Sequence, residues 1–205
     1  YRTFVVGRAT QAQRDAFDAP VPAPHRPGPT PPGDELLGRD EDLAALAEIV
    51  DRRPLVTIVG PGGVGKTTLA REVTRRRASA HCGGVRIVEL AAVTDSAAIP
   101  DVVVTALGLT SDGGAPLTAL RGVRFMDLVV LLDNCEHVLD AVCDVLEAML
   151  PTEPSALRVV ATSREVLGMP GEHAWPLAPL DCSQADSPAQ RFFRRRADAA
   201  RPSVV

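Results

Sequence analysis

The fold of this chain is decided by one stretch, Leu55-Val56-Thr57-Ile58-Val59-Gly60-Pro61-Gly62-Gly63-Val64-Gly65-Lys66-Thr67-Thr68. Its first five residues are apolar or β-branched and predict a buried strand, and residues 66–77 predict a helix. The glycines between them allow backbone amides to come close to an anion, and the start of a helix favours negative charge. Strand, loop and helix in this order predict a phosphate-binding loop of the Walker A type.

The residues of the predicted loop have separate expected roles. Lys66, the only lysine in the chain, would reach the β- and γ-phosphates of a nucleotide, and Thr67 would offer a hydroxyl to Mg²⁺. Thr68 would support the start of the helix. The remaining residues are expected to surround the phosphates: Gly60, Pro61, Gly62, Gly63, Val64 and Gly65. The alternative is a glycine-rich turn that matches the pattern by chance.

The composition predicts a globular protein with a substantial core. Of the 205 residues 45% are hydrophobic, and no apolar run approaches the roughly 20 residues that cross a bilayer. The N-terminus has no signal-peptide pattern, so we expect a cytoplasmic chain without a membrane partner. The formal net charge of −4 disfavours broad electrostatic capture of nucleic acid.

Neither the cysteines nor the basic runs predict a site of their own. The cysteines have no metal-type spacing and are expected to be reduced packing residues: Cys82, Cys135, Cys143 and Cys182. Two arginine triplets, residues 75–77 and 194–196, are expected to be solvated helix faces or partners of helix C-terminal dipoles rather than DNA contacts.

The ends of the chain differ in composition from its middle. Residues 19–33 are rich in proline and predict a stiff, polyproline-like linker. Residues 1–18 are expected to be the tail of a preceding domain or remain unassigned. A charged segment at 187–201 predicts a helix without a partner for Phe192 and Phe193, so we expect a fragment of a longer protein.

Between the ends, strand and helix patterns alternate. Strands are predicted at residues 55–59, 85–90, 128–133 and 158–162, with a weaker fifth at 173–177. Helices are predicted at residues 40–50, 66–77, 96–107 and 137–149. Such alternation predicts an α/β fold in which helices cover a parallel sheet.

Two strand ends carry further candidate site residues. Asp133 ends a buried apolar strand, which is typical of a Walker B carboxylate that serves Mg²⁺, although it could be a simple strand-terminal cap. Arg164 follows the next strand, and its planar guanidinium could sense the γ-phosphate. The alternative for Arg164 is a surface ion pair with Glu165 or Glu172.

Together these motifs resemble the NB-ARC-like ATPase module of STAND proteins, and most closely that of bacterial LuxR and antibiotic-regulatory (SARP) transcriptional regulators. The resemblance spans about residues 33–201. It rests on Leu36-Leu37-Gly38-Arg39-Asp40, the Walker A loop, Leu131-Leu132-Asp133-Asn134-Cys135-Glu136-His137, Ala161-Thr162-Ser163-Arg164-Glu165 and Gly171-Glu172.

The resemblance implies a P-loop NTPase domain at residues 34–182 with the sheet order 5-1-4-3-2. Residues 183–205 would begin a helical subdomain, truncated here. Leu37, Gly38 and Arg39 would lie beside the adenine, Lys66 would bind the phosphates, Asp133 would serve Mg²⁺, and Arg164 would be the sensor. ATP and ADP would act as a switch, with output from other domains of the same chain.

One departure from the best hydrolases of this superfamily concerns the residue after Asp133. An acidic residue there polarises the attacking water, whereas this chain has Asn134, whose amide cannot accept the proton. Glu136 is the candidate substitute base, and His137 is expected to be a helix-start or packing residue. We therefore predict slow hydrolysis at best.

Three functions stay open at this point. The first is an ATP/ADP-dependent regulatory switch with Mg²⁺, in which DNA is contacted only by other domains and a nucleotide-dependent homo-oligomer is left open. The second is a phosphotransferase or fast ATPase, which would need a base and an acceptor pocket. The third is an interaction scaffold without nucleotide, against which Lys66, Thr67 and Asp133 argue.

Overall fold

One parallel sheet organises the part of the chain that the computed structural model describes, which is residues 36, 38–110, 115–150, 155–180, 187, 189–191, 193 and 194. The strands are β1 (Leu55–Val59), β2 (Val85–Glu89), β3 (Val129–Asp133), β4 (Arg158–Ser163) and β5 (His173–Pro176). Their order is β2-β3-β4-β1-β5, and every neighbouring pair is parallel. This confirms the expected order 5-1-4-3-2, read here from the opposite edge.

Helices cover both faces of the sheet. In chain order they are α1 (Asp40–Arg52), α2 (Lys66–Arg77), α3 (Ile99–Ala106), α4 (Pro116–Leu120) and α5 (Leu139–Met149). Short 3₁₀ turns lie at Ala78–Ala80, Ser96–Ala98, Arg121–Phe125 and Cys135–His137. Among the described residues, no helix has the length and apolar character needed to span a bilayer.

Two helices begin later than the sequence pattern predicted. The helix expected from residue 96 starts at Ile99, because Asp95 caps a separate 3₁₀ turn by accepting a 3.0 Å hydrogen bond from the Ala97 amide. The helix expected from residue 137 starts at Leu139, again behind a 3₁₀ turn. Helix α4 was not predicted, since five residues are too few to show a helical period.

Alternate residues of the strands face two separate cores. On β3, Val130 and Leu132 belong to the core beneath α3 and α5, whereas Leu131 belongs to the core beneath α1 and α2. All three side chains are fully buried. Because strand side chains alternate between faces, Asp133 lies on the same face as Leu131 and points to the side of α2. The pleat of β3 therefore directs this carboxylate toward the helix that begins at Lys66.

The arginine run at the end of α2 is a solvated helix face, as expected. Arg75 and Arg76 both pair with Glu72, and Arg77 pairs with Asp51. The hydrogen bond from Arg75 is the main reason why the pKa of Glu72 lies below its ordinary value. These arginines are occupied by neighbouring carboxylates.

Some predictions concern residues outside the described part of the chain. They include the N-terminal tail and linker at 1–33, Leu37, Cys182 and most of the segment 183–205. Within that last segment residues 189–191, 193 and 194 are helical, and Phe193 is exposed.

At the amino-terminal ends of the strands, Asp127 connects the segments that precede β2 and β3. Its carboxylate contacts the His81 ring at 2.6 Å and accepts a 3.0 Å hydrogen bond from the Cys82 amide. Its backbone oxygen accepts from the Gly83 amide at 2.8 Å. Partial burial raises the pKa of Asp127, but the hydrogen bonds from Cys82 and His81 outweigh it, so the net direction is downward.

Replacing Asp127 with alanine is expected to lower the free energy of unfolding by about 1–2 kcal/mol near neutral pH, because two hydrogen bonds are lost. Since the folded-state pKa of Asp127 lies below the unfolded one, its contribution is complete above about pH 4 and fades as the pH falls further. Urea unfolding of the wild type and of Asp127→Ala at several pH values, from neutral to below about pH 4, measures this difference in the free energy of unfolding. An equal loss in the exposed control Asp144→Ala, or a pH-independent difference, would contradict the assignment.

Candidate nucleotide-binding site

The loop between β1 and α2 has the backbone shape that an anion site requires. Gly63 and Gly65 have φ angles of +76° and +100°, and a Cβ built on either one meets no atom within 4 Å. Both positions therefore need glycine for its backbone conformation and leave open space above the loop. Gly60 instead packs closely, because a Cβ there would lie 2.9 Å from the Leu177 backbone oxygen.

Lys66 lies over the same loop. It is the first residue of α2, and its Nζ donates to the backbone oxygens of Gly60 at 2.8 Å and Pro61 at 3.0 Å. An ammonium group has three donors, so these two hydrogen bonds leave one N–H for a further acceptor. No side chain in the described part of the chain caps the start of α2. The cation and the positive end of a helix thus meet at one place.

Asp133 joins the ends of three structural elements. Its Oδ1 accepts hydrogen bonds from the hydroxyls of Thr67 on α2, at 2.8 Å, and Thr162 on β4, at 2.6 Å. Asp133 is 7% exposed. Thr162 in turn accepts a 2.9 Å hydrogen bond from the Asn134 amide. The bond to Thr67 brings the two predicted Mg²⁺ residues together, while the role of Thr162 as their partner was not predicted.

These donors fit a magnesium ion that is shared with a nucleotide. Mg²⁺ at phosphate sites takes one or two protein oxygens and completes an octahedron with phosphate oxygens and water. Thr67 and Asp133 supply a hydroxyl and a carboxylate beside the open loop. The described residues contain no group of three or more histidine, cysteine or acidic side chains that could hold a metal by themselves. When bound, the ion would neutralise phosphate charge.

Asn134 turns the chain sharply after β3. It is the only non-glycine among the described residues with a positive φ, +69°, a conformation that asparagine tolerates better than most residues. Its side-chain amide lies 3.3 Å from Nδ1 of His137, whose Nε2 contacts the backbone oxygens of Leu90 and Val93 at 3.1 and 3.0 Å. Both ring nitrogens of His137 are thus occupied by structural partners, in agreement with the predicted packing role.

Cys135 is a packing residue within the same turn. Its Sγ donates to the Leu132 backbone oxygen, and the side chain is fully buried. Burial, reinforced by the carboxylates of Asp133 and Glu136, raises the pKa of the thiol to about 12. The thiol therefore stays protonated, which agrees with the predicted packing role of Cys135.

The turn brings Glu136 back toward Arg164. Oε1 of Glu136 accepts a 3.1 Å hydrogen bond from Nε of Arg164, so the alternative partners Glu165 and Glu172 were wrong. Glu172 instead accepts hydrogen bonds from the amides of residues 167–169 and organises the loop before β5. Nη2 of Arg164 lies 3.7 Å from the position of a Cβ on Gly62, so the guanidinium lies beside the loop.

Arg39 is buried and bound to the protein itself. Its guanidinium donates to Asp42 at 2.9 Å, to the Ala178 backbone oxygen at 2.6 Å and to the Val64 backbone oxygen at 3.3 Å. It thereby links the start of α1, the loop and the segment after β5. Gly38 beside it is exposed and has a φ angle of +69°. Any contact of Arg39 with a base would have to come from its backbone.

The sequence of this chain matches a known family of proteins. A family model for the AAA ATPase domain matches residues 35–203. The chain belongs to the family of AAA ATPase domains. The match includes the loop, Asp133 and Arg164, so this AAA ATPase domain carries its candidate nucleotide site within the matched region.

Two relatives from Mycobacterium tuberculosis resemble the AAA ATPase domain in sequence. An uncharacterized protein is 33% identical over 147 residues, which cover 71% of this chain and 37% of that protein. A protein named "Putative HTH-type transcriptional regulator Rv0890c" is 36% identical over 164 residues, covering 78% of this chain and 18% of that protein. The chain thus spans less than two fifths of the length of either relative.

Solved structures support the fold of the AAA ATPase domain. The Pyrococcus horikoshii Signal Transduction ATPase with Numerous Domains (STAND) protein, which has a tetratricopeptide repeat sensor, aligns with a TM-score of 0.52 at 20% identity. That alignment covers 80% of this chain and 26% of the other. The Aeropyrum pernix ORC2 protein, solved in ADPNP–ADP complexes, aligns with a TM-score of 0.51 at 17% identity over 90% of this chain and 55% of the other.

Proposed function

We propose that this AAA ATPase domain is the ATP/ADP-binding switch of a larger transcriptional regulator, and that it hydrolyses ATP slowly with Mg²⁺. The observation that carries the proposal is the 2.8 Å hydrogen bond between Thr67 and Asp133 beside the open glycine loop. It joins the two predicted magnesium residues beside the phosphate loop, at the carboxyl end of the sheet, where such folds bind ligands.

Each residue of the site has a proposed role. Lys66 and the loop amides bind the phosphates, and Thr67 with Asp133 holds Mg²⁺. Leu37, Gly38 and Arg39 lie beside the adenine, and Arg39 contacts it through its backbone because its guanidinium is bound to the protein. Arg164 senses the γ-phosphate, since its exposed guanidinium already lies beside the loop. Glu136 is the candidate base, and its ion pair with Arg164 is one physical reason to expect slow hydrolysis.

The length of one relative supports a role as a regulatory module. The relative named as an HTH-type regulator is more than five times the length of the region it shares with this chain, which leaves room for further domains. We infer an NB-ARC-like STAND module of the LuxR or SARP type, with residues 1–33 as tail and linker and residues 183–205 as the start of a helical subdomain. It would act in the cytoplasm, touch DNA only through other domains and assemble in a nucleotide-dependent way.

Calorimetric titration of ATP and ADP with Mg²⁺ tests the switch. We expect the chain to prefer ATP, and Arg164→Ala to weaken ATP binding by about ten- to a hundredfold while ADP binding changes little, because a charge-assisted contact to the γ-phosphate is lost. Arg52→Ala removes the same charge at an exposed position on α1 and serves as the matched control.

The same preparations separate the two competing functions. Phosphate release on the order of 1 per second or faster would indicate an enzyme proper instead of a switch. A chain that binds neither nucleotide would indicate an interaction scaffold. Equal affinity for ATP and ADP in the wild type would contradict a switch that reads the γ-phosphate.

A further inference from the structure

We propose that Glu136 competes with the γ-phosphate of ATP for the guanidinium of Arg164, and that this competition sets how strongly the site prefers ATP over ADP. The inference rests on the proposed nucleotide switch and adds a residue that tunes its selectivity. It starts from a carboxylate that the structure leaves incompletely satisfied.

The carboxylate of Glu136 depends on Arg164. Its Oε1 accepts the 3.1 Å hydrogen bond from Nε of Arg164, whereas its Oε2 is buried and has no hydrogen-bond partner among the described residues. The side chain of Glu136 is only 16% exposed. A carboxylate withdrawn from water is costly unless it is paired, so the nearby cation compensates a large part of that cost.

Arg164 is less constrained than the carboxylate that it pairs with. Its side chain is 67% exposed, and it follows the end of β4 beside the phosphate loop. The Nη2 atom lies 3.7 Å from the position of a Cβ on Gly62. The guanidinium thus stands between an internal anion and the loop that would hold an external one, and little packing opposes its movement toward the loop.

One cation shared by two anions gives a defined energetic coupling. ADP has no γ-phosphate, so the ion pair between Glu136 and Arg164 persists when ADP is bound. With ATP, the γ-phosphate draws the guanidinium away and leaves a largely buried carboxylate without its partner, which weakens ATP binding relative to a site without Glu136. Glu136 lies in the turn between Asn134 and His137. Binding of the γ-phosphate therefore changes the contacts of this turn.

The test measures the affinities of ATP and ADP with Mg²⁺ for the full chain and for Glu136→Gln. We expect Glu136→Gln to tighten ATP binding by about three- to tenfold, with ADP binding unchanged within about twofold. In the Arg164→Ala background the same substitution should have no effect on ATP. Glu136→Asp, which keeps the charge but withdraws it from Arg164, should also tighten ATP binding.

Asp140→Asn is the matched control, because it removes the same charge from an exposed position on α5 four residues away. Equal tightening of ATP in this control, equal tightening of ADP, or an effect that persists without Arg164 would overturn the inference. Weaker ATP binding in Glu136→Gln would also overturn it and would make Glu136 a positioning partner of Arg164. If the wild type prefers ATP but one of these results is obtained, only the inference about Glu136 fails. If the wild type binds ATP and ADP equally, the proposed switch fails as well. The two failures are therefore distinguishable.

Discussion

Lys66→Ala is expected to weaken the binding of both ATP and ADP with Mg²⁺ by at least about a hundredfold. The Nζ atom already lies over the loop, held by the backbone oxygens of Gly60 and Pro61, so it meets phosphates without first being ordered. Charge-assisted hydrogen bonds contribute about 1.5–3 kcal/mol each, and one or two such contacts account for the loss. Calorimetric titration measures it directly.

The controls for Lys66→Ala separate a lost ligand contact from a damaged loop. Arg76→Ala removes a cation from the exposed far end of α2, and we expect nucleotide affinity to stay within about twofold of wild type there, because screening weakens distant surface charges. Without nucleotide, Lys66→Ala should remain folded and lose no more than about 1–2 kcal/mol of unfolding free energy, the contribution of its two hydrogen bonds to Gly60 and Pro61. A variant that is folded and still binds ATP with near-wild-type affinity would remove the loop from the nucleotide site.

Asp133→Asn is the second large effect that we expect. Loss of the carboxylate charge should abolish the strengthening of ATP binding by Mg²⁺ and reduce hydrolysis by about a hundredfold or more. The shape of asparagine is close to that of aspartate, and its oxygen can still accept from Thr67 or Thr162, so the fold should persist. Titrations of ATP with Mg²⁺ and with a chelator give the comparison.

Glu89→Gln is the matched control for Asp133→Asn. Glu89 ends β2 in direct register with Asp133, but its carboxylate is exposed and pairs with Arg71. Glu89→Gln therefore removes an acidic charge from the same carboxyl end of the sheet, on the neighbouring strand. If both variants lost the Mg²⁺ effect equally, or if neither did, the assignment of Asp133 to the metal would be wrong.

Much of the fold could be predicted because it depends on local pattern. The apolar run of β1, the glycines of the loop and the helical period of α2 each have one favourable local structure, and their order admits few topologies. The predicted strand ends differ from the observed ones by one residue, since Leu90 and Leu128 were predicted to be in strands and lie just outside them. The starts of α3 and α5 were missed because capping and 3₁₀ turns depend on single hydrogen bonds, which a periodic pattern does not contain.

The partners within the site were harder to predict than its members. Arg164 was expected to pair with Glu165 or Glu172 if it paired at all, since these are its neighbours in sequence. Its actual partner, Glu136, lies 28 positions away and reaches it only because Asn134 turns the chain with a positive φ. A strand-end asparagine followed closely by a glutamate was the available signal, but it does not specify direction.

By itself the sequence determined the α/β class, the strand order through its resemblance to a known module, the loop and the candidates Lys66, Thr67 and Asp133. These follow from residue type and spacing along the chain, which set local backbone preference and side-chain chemistry. Only the tertiary structure decided that Thr162 shares Asp133, that Arg39 ties the loop to the segment after β5, and that Glu136 pairs with Arg164. Those contacts join residues far apart in the chain, and their geometry depends on how the sheet aligns its strand ends.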